Sequence, residues 1–190
     1  MKKMCYNPYI ISERRIDMSK DYTFNPGDFV VYPAHGVGQV KAIQKTVVAG
    51  QNMDVIAINF NKDKMMVRIP LTSAPKSGLR QVSDASVMDI ALHTLKGKPK
   101  IKRAQWSKRS QEYVAKINSG DPVAVAEVVR DLYKNPAVSE QTFSERQLYE
   151  QALKRFASEY AVVHQIQEND ALSQLESLLQ SKSPAVKTTL

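Results

Sequence analysis

FNPGDFVVYPAHGVGQVKAIQKTVV, residues 24–48, decides how the first half of this chain folds. Asn25-Pro26-Gly27 is a turn signal, FVVYP (29–33) is a β-branched and aromatic run, His35-Gly36 turns again, and GQVKAIQKTVV (38–48) is a second run. The same grammar continues outward. Ala49-Gly50-Gln51-Asn52 leads into MDVIAINF (53–60), and Asn61-Lys62-Asp63 leads into KMMVRIP (64–70). Short consecutive strands of this kind predict an antiparallel meander curled into a small barrel, ending near Pro75 to Val82. Arg68 alternates with Val67 and Ile69, so it is expected on the face opposite them, either in solvent or against a partner.

The second half obeys another grammar. All seven glycines lie within the first 120 residues, and from Ala137 to Ser183 there is neither Gly nor Pro, which predicts helices. Ser83 is expected to cap a helix that runs to about Leu95 and stops at Gly97-Lys98-Pro99. A second helix is expected from about Ala104 to Asn118, with Gly120 ending it. Asp121-Pro122 is an N-cap followed by a proline at the first helical position, and Val125, Val128, Val129, Leu132 and Tyr133 then repeat at helical spacing up to Asn135-Pro136. Thr142-Phe143-Ser144-Glu145 fits a capping box, and Tyr149, Ala152, Phe156, Tyr160 and Val163 stripe the long helix behind it. Leu172, Leu175, Leu178 and Leu179 predict one more short amphipathic helix. The fold class expected is therefore α+β in two domains, a small antiparallel β-barrel at 21–82 and an all-α domain at 83–181. A disordered leader is expected at 1–20, with Met18 as an alternative start, and a disordered tail at 182–190.

The 190 residues are 43% hydrophobic and carry a formal net charge of +8, enough apolar content for a core and an excess of positive charge that favours an anionic partner. Much of that excess is local. No acidic residue occurs from Ile90 to Gln111, while Lys96, Lys98, Lys100, Lys102, Arg103, Lys108 and Arg109 all fall inside, around the chain's single tryptophan, Trp106. Two readings of Trp106 stand at this point. It tops an apolar stripe through Val114 and Ile117, or it stacks on a base while the cations hold phosphates. Arg146, at the start of the long helix, adds its charge to the positive end of the helix and is a second candidate for a phosphate. Arg130 is read as a surface or ion-pairing residue, with Glu127 or Asp131 as partner.

Catalysis and metal binding find little support. His35, His93 and His164 are far apart and form no ligand pair, and Gly36-Val37-Gly38 lacks the Gly-Lys-Ser/Thr of a phosphate loop. The one cysteine, Cys5, allows neither an internal disulfide nor a multi-cysteine zinc site and has no base partner. No enzyme, no cofactor and no metal are expected, no stretch has the length of a membrane span, and the location expected is the cytoplasm.

The order of three motifs resembles a known family. FNPGDFVVYPAHGVGQV (24–40), MVRIPLTSAPKSGLR (66–80) and QWSKRSQEYVAKINSGDPVAVAEVVRDLY (105–133) are similar to the CarD/CdnL family of bacterial RNA polymerase-binding transcription regulators, over about Phe24 to Val163. The resemblance implies a Tudor-like (SH3-like) barrel that docks strand-to-strand on the polymerase β subunit, with Arg68, Met66 and Val48 in the contact. It also implies a helical domain on promoter DNA, with Trp106 wedged into the minor groove at the upstream edge of the melted −10 region and Lys108, Arg109, Arg146, Lys102 and Arg103 around it. The implied activity is stabilisation of the open promoter complex, notably at ribosomal RNA promoters, by a monomer associated with the nucleoid. Thr46 and Gln111 stand where some relatives carry a basic residue, so those contacts are expected to be weaker here. The barrel also resembles the polymerase-interacting module of transcription-repair coupling factors, although no helicase motif is present. The alternative is a free-standing architectural protein that binds nucleic acid without sequence preference; it requires tight, salt-sensitive DNA binding in the absence of polymerase.

Overall fold

A computed structural model describes residues 24–48, 50–60, 64–101, 103–134 and 140–181; the leader, Met18 and the tail lie outside the described residues. Among them are five strands followed by five helices, β1 (Phe29–Tyr32), β2 (Gly36–Val48), β3 (Gln51–Phe60), β4 (Met65–Pro70), β5 (Arg80–Gln81), α1 (Ala85–Lys96), α2 (Trp106–Asn118), α3 (Pro122–Leu132), α4 (Phe143–Val163) and α5 (Glu168–Gln180). A single 3-10 turn, Leu71–Ser73, follows β4.

The strands form one antiparallel sheet in the order β4-β3-β2-β1-β5, with β4 and β5 at its edges. β5 is the strand that periodicity did not foresee, since two residues cannot display a period. The sheet packs around a core of Phe24, Val30, Val40, Ile56, Ile58, Phe60, Ile69 and Leu79, and among the described residues its edge strands β4 and β5 do not pair with each other. Gly38 is required by that core, because a Cβ there would lie 2.7 Å from both Ile58 Cγ2 and Phe60 Cε1. His35, in the β1–β2 turn, rests against Tyr32 and Phe60, with ring centroids 5.7 and 5.2 Å away. Beyond Gln44 and Val55 the β2–β3 hairpin continues as a two-stranded ribbon, pairing Lys45 with Asp54, Thr46 with Met53 and Val47 with Asn52.

The helices bury a second core, in which Met88, Ala91 and Leu95 of α1 meet Val125, Val128, Val129 and Leu132 of α3 and Ala152, Leu153, Phe156 and Ala157 of α4. The N-terminus of α3 is capped by Asp121, whose side chain accepts from Val123 N at 3.0 Å, and the capping box of α4 forms as its sequence predicts. Ser83 does not cap α1. Asp84 holds that position, and Ser83 is drawn instead into bonds with Arg80 and Glu159. α2 begins at Trp106, two residues after the expected Ala104. Its buried side chains are Tyr113 and Ile117; Ile117 faces inward as expected, whereas Val114 is 41% exposed and Tyr113, one residue before it, takes the inward place. Arg130 pairs with Asp131 as anticipated, Nε to Oδ1 at 2.8 Å, but both are buried and not on the surface.

Candidate functional site

At one end of the helical unit the first turns of α2 and α4 come together. Trp106 opens α2 after Gln105, which supplies no side-chain cap. Trp106 is partly buried, packed against the helical core, with the Tyr113 ring 6.4 Å away at 53°. One side of Trp106 anchors the helix, as the first reading has it, and the other faces a groove that Val114 and Leu148 line with Ser110, Gln147 and Lys154.

Arg109 lies three residues on, so it returns over the same face of α2. Its Cζ sits 5.3 Å from the Trp106 ring centroid, within cation–π range, and its Nη2 approaches Glu145 Oε1 at 3.7 Å. Its buried Nε has no hydrogen-bond partner among the described residues, as expected of a guanidinium laid against an aromatic face. Glu145 is the junction of the cluster. Its Oε2 accepts from Lys134 Nζ at 2.8 Å and from Thr142 N–H at 3.0 Å, while its own N–H donates to Thr142 Oγ1 at 3.3 Å. Burial alone pushes the Glu145 carboxyl up, but the hydrogen bonds from Lys134 and Thr142 and the Lys134 charge outweigh it and hold the group below the ordinary glutamate range. Beneath Trp106, burial first, and then the Asp131 charge, push the Tyr113 phenol up.

The remaining cations divide by position. Arg103, Lys108 and Arg146 are exposed, and Lys102 lies outside the described residues. Lys98 and Lys100 are exposed on a strap whose backbone is pinned, since Lys100 N–H donates to the buried Asp131 Oδ1 at 2.9 Å. One residue was missed by reading the sequence. Phe143, the first residue of α4, is 74% exposed. The signal was present: its i+3, i+4 and i+7 neighbours are Arg146, Gln147 and Glu150, all polar, so it sits off the inward stripe.

On the sheet, β4 is an edge strand whose side chains alternate as the sequence predicts. Met66 (52% exposed) and Arg68 emerge together, while Ile69 is buried. Arg68 stands opposite Ala57 of β3. The backbone of Val48 pairs with Gln51 at the end of the ribbon, where Thr46 and Val47 are exposed; the side chain of Val48 lies outside the description. No described helix is long and apolar enough to cross a membrane, and no three His, Cys, Asp or Glu residues among those described converge as a metal site.

Residues 24–83 match the family model of the CarD-like/TRCF RID domain, and residues 90–176 match that of the CarD C-terminal domain. The chain is 28% identical over 150 residues to the putative transcription factor YdeB of Bacillus subtilis (strain 168), covering 79% of this chain and 98% of that protein. It is also similar, at 34% identity, to the 72-residue N-terminal domain of Myxococcus xanthus CarD solved by solution NMR, over 31% of this chain and 79% of that one, with a TM-score of 0.29.

Proposed function

The chain belongs to the CarD/CdnL family, and from that premise we propose that it is a transcription regulator that bridges RNA polymerase and promoter DNA. In this reading residues 21–82 form a Tudor-like barrel that adds its β4 edge to a strand of the β subunit, with Arg68, Met66 and Val48 in the contact. An edge strand offers unpaired backbone groups to a partner strand, and alternate side chains then supply specificity. The exposed Thr46 and Val47 of the ribbon extend that surface.

Residues 83–181 present Trp106 to the upstream edge of the melted −10 region, through the minor groove. The observation that carries the reading is the setting of Trp106, anchored on one side, open on the other and placed at the start of a helix among exposed cations. The last stacked step of a bubble is already weakened, so a wedge there avoids part of the few kcal/mol, roughly, that unstacking costs in intact duplex. Lys108, Arg103, Lys102 and Arg146 contact phosphates. Arg109 acts differently from the rest, since its guanidinium braces the indole and is partly neutralised by Glu145. Phe143 joins the set as an exposed aromatic one helical turn from Arg146. The outcome is a longer-lived open complex, without base-specific reading, produced by a non-catalytic cytoplasmic monomer acting at the nucleoid, ribosomal RNA promoters included.

The test is a purified transcription system in which open-complex lifetime is read after competitor challenge. Trp106→Ala is expected to shorten the lifetime, and Arg68→Glu to remove the effect together with β-subunit capture. An unchanged lifetime with Trp106→Ala rules out the wedge.

A further inference from the structure

The seam between sheet and helices is crossed by two arginines that reach in opposite directions. Arg80, on β5, donates from Nε to the carbonyl of Gly120 in the α2–α3 turn at 2.8 Å, and from Nη2 to the same oxygen. The same guanidinium grips Glu159 of α4 with two parallel bonds, Nη1 to Oε1 at 2.7 Å and Nη2 to Oε2 at 2.8 Å. Arg155, on α4, reaches back to the β1–β2 turn, donating to the carbonyls of Pro33 and, at 2.8 Å, Ala34; it also meets the Ile117 carbonyl of α2 at 3.2 Å. Gly120 accepts Arg80 in a left-handed conformation (φ +74°) that suits glycine.

Units of one chain move relative to each other unless the surface between them prevents it. Here the seam is apolar where Val31, Pro33 and Val37 face Ile117, Val125 and Phe156. One polar tether would leave a pivot. Two, one at β5 and one at the β1–β2 turn, remove rotation about it. Glu159 is buried and bidentate, so its geometry is specific as well as attractive.

We propose that Arg80 and Arg155 are positioning residues that lock the sheet and the helices into one body, so that a partner seated on the β4 edge holds Trp106 at a fixed offset. The inference deepens the function proposed above and rests on it for its biological meaning. A fixed offset raises the effective concentration of the Trp106 end at its target, which a loose joint spreads over other orientations.

Its direct test needs no polymerase. Paired spin labels at Gln44→Cys and Ala115→Cys, in the full chain carrying Cys5→Ser, report the distance distribution across the seam by pulsed dipolar spectroscopy; both positions are exposed. The expected result is one narrow distribution that broadens with Arg155→Met and with Glu159→Gln, each checked for folding by circular dichroism. The glutamine variant keeps the shape of the site if the methionine variant fails to fold. A broad distribution in the parent, or an unchanged narrow one in the folded variants, overturns the lock. The companion reading is open-complex lifetime, expected to fall about tenfold in Arg155→Met with β-subunit capture retained. Broadened distances with an unchanged lifetime overturn the positioning role. Failure of the proposed function appears separately, as insensitivity to Trp106→Ala, and leaves the spin-label result to decide the lock.

Discussion

Glu145→Gln tests whether the junction beside Trp106 is held by charge. Glutamine keeps the volume and can still accept from Thr142 N–H, so the capping box weakens only by the difference between a charged and a neutral acceptor, about 0.5–1 kcal/mol. The Lys134 pair, 2.8 Å long with side chains 30% and 11% exposed, is part-screened and contributes about 0.5–1 kcal/mol. Arg109, at 3.7 Å and 20% exposed, adds about 0.5 kcal/mol. Together these give a loss of about 2 kcal/mol, or about 1 M in the urea midpoint for a chain of this size. Trp106 is the only tryptophan, so its emission follows both unfolding and, by acrylamide quenching, the release of Arg109 from its ring face. The sign with pH follows from the depressed carboxyl. A group whose folded pKa lies below its unfolded one stabilises above the unfolded pKa and loses that contribution as pH falls through the folded value. The gap between parent and variant should thus be full at pH 7 and close as pH drops below the ordinary glutamate range. A gap under about 0.5 kcal/mol at pH 7, or one that persists unchanged in acid, refutes the charge argument.

Three other substitutions probe separate parts of the chain. Gly38→Ala forces a Cβ to within 2.7 Å of Ile58 and Phe60 and should cost about 1–3 kcal/mol in urea unfolding, whereas a neutral result means that the sheet core yields. Asp131→Ala strands the buried Arg130 and frees Lys100 N–H, a loss of about 3–5 kcal/mol by thermal melting. Arg130→Met with Asp131→Leu should recover most of it, and a double variant as unstable as the single one contradicts the pairing. Phe143→Ala should leave stability within about 0.5 kcal/mol, because the ring is 74% exposed. It should still shorten open-complex lifetime by about tenfold if the ring stacks on DNA, and an unchanged lifetime removes Phe143 from the interface.

Elements with a period or a cap were legible. The alternation through MMVRIP predicted which side of β4 Arg68 takes, and Asp121-Pro122 and Thr142-Phe143-Ser144-Glu145 marked two helix starts with their caps. Features that depend on which elements meet were not. Ser83 looks like a cap until Glu159, far along the chain, takes its N–H at 3.0 Å. Arg109 looks like its neighbour Lys108 until α4 brings Glu145 beside it. Arg130 beside Asp131 has the spacing of a surface pair, but both are buried, with Gly97 lying against Arg130 and Lys100 N–H bonded to Asp131. Arg155 stands in none of the quoted motifs, and Arg80 only ends MVRIPLTSAPKSGLR (66–80) with nothing there to mark it as a tether, because a carbonyl acceptor leaves no trace in the sequence.

The ribbon formed by Lys45–Val48 and Gln51–Asp54 makes its reach adjustable. Its outer edges pair with no described strand, and its exposed side chains do not enter either core. Two residues added to each arm would preserve the in-out alternation and carry the tip about 7 Å farther, while every contact in the body stays as it is. A change of ribbon length alone thus moves the tip, with Gly38, the seam and the Trp106 end untouched.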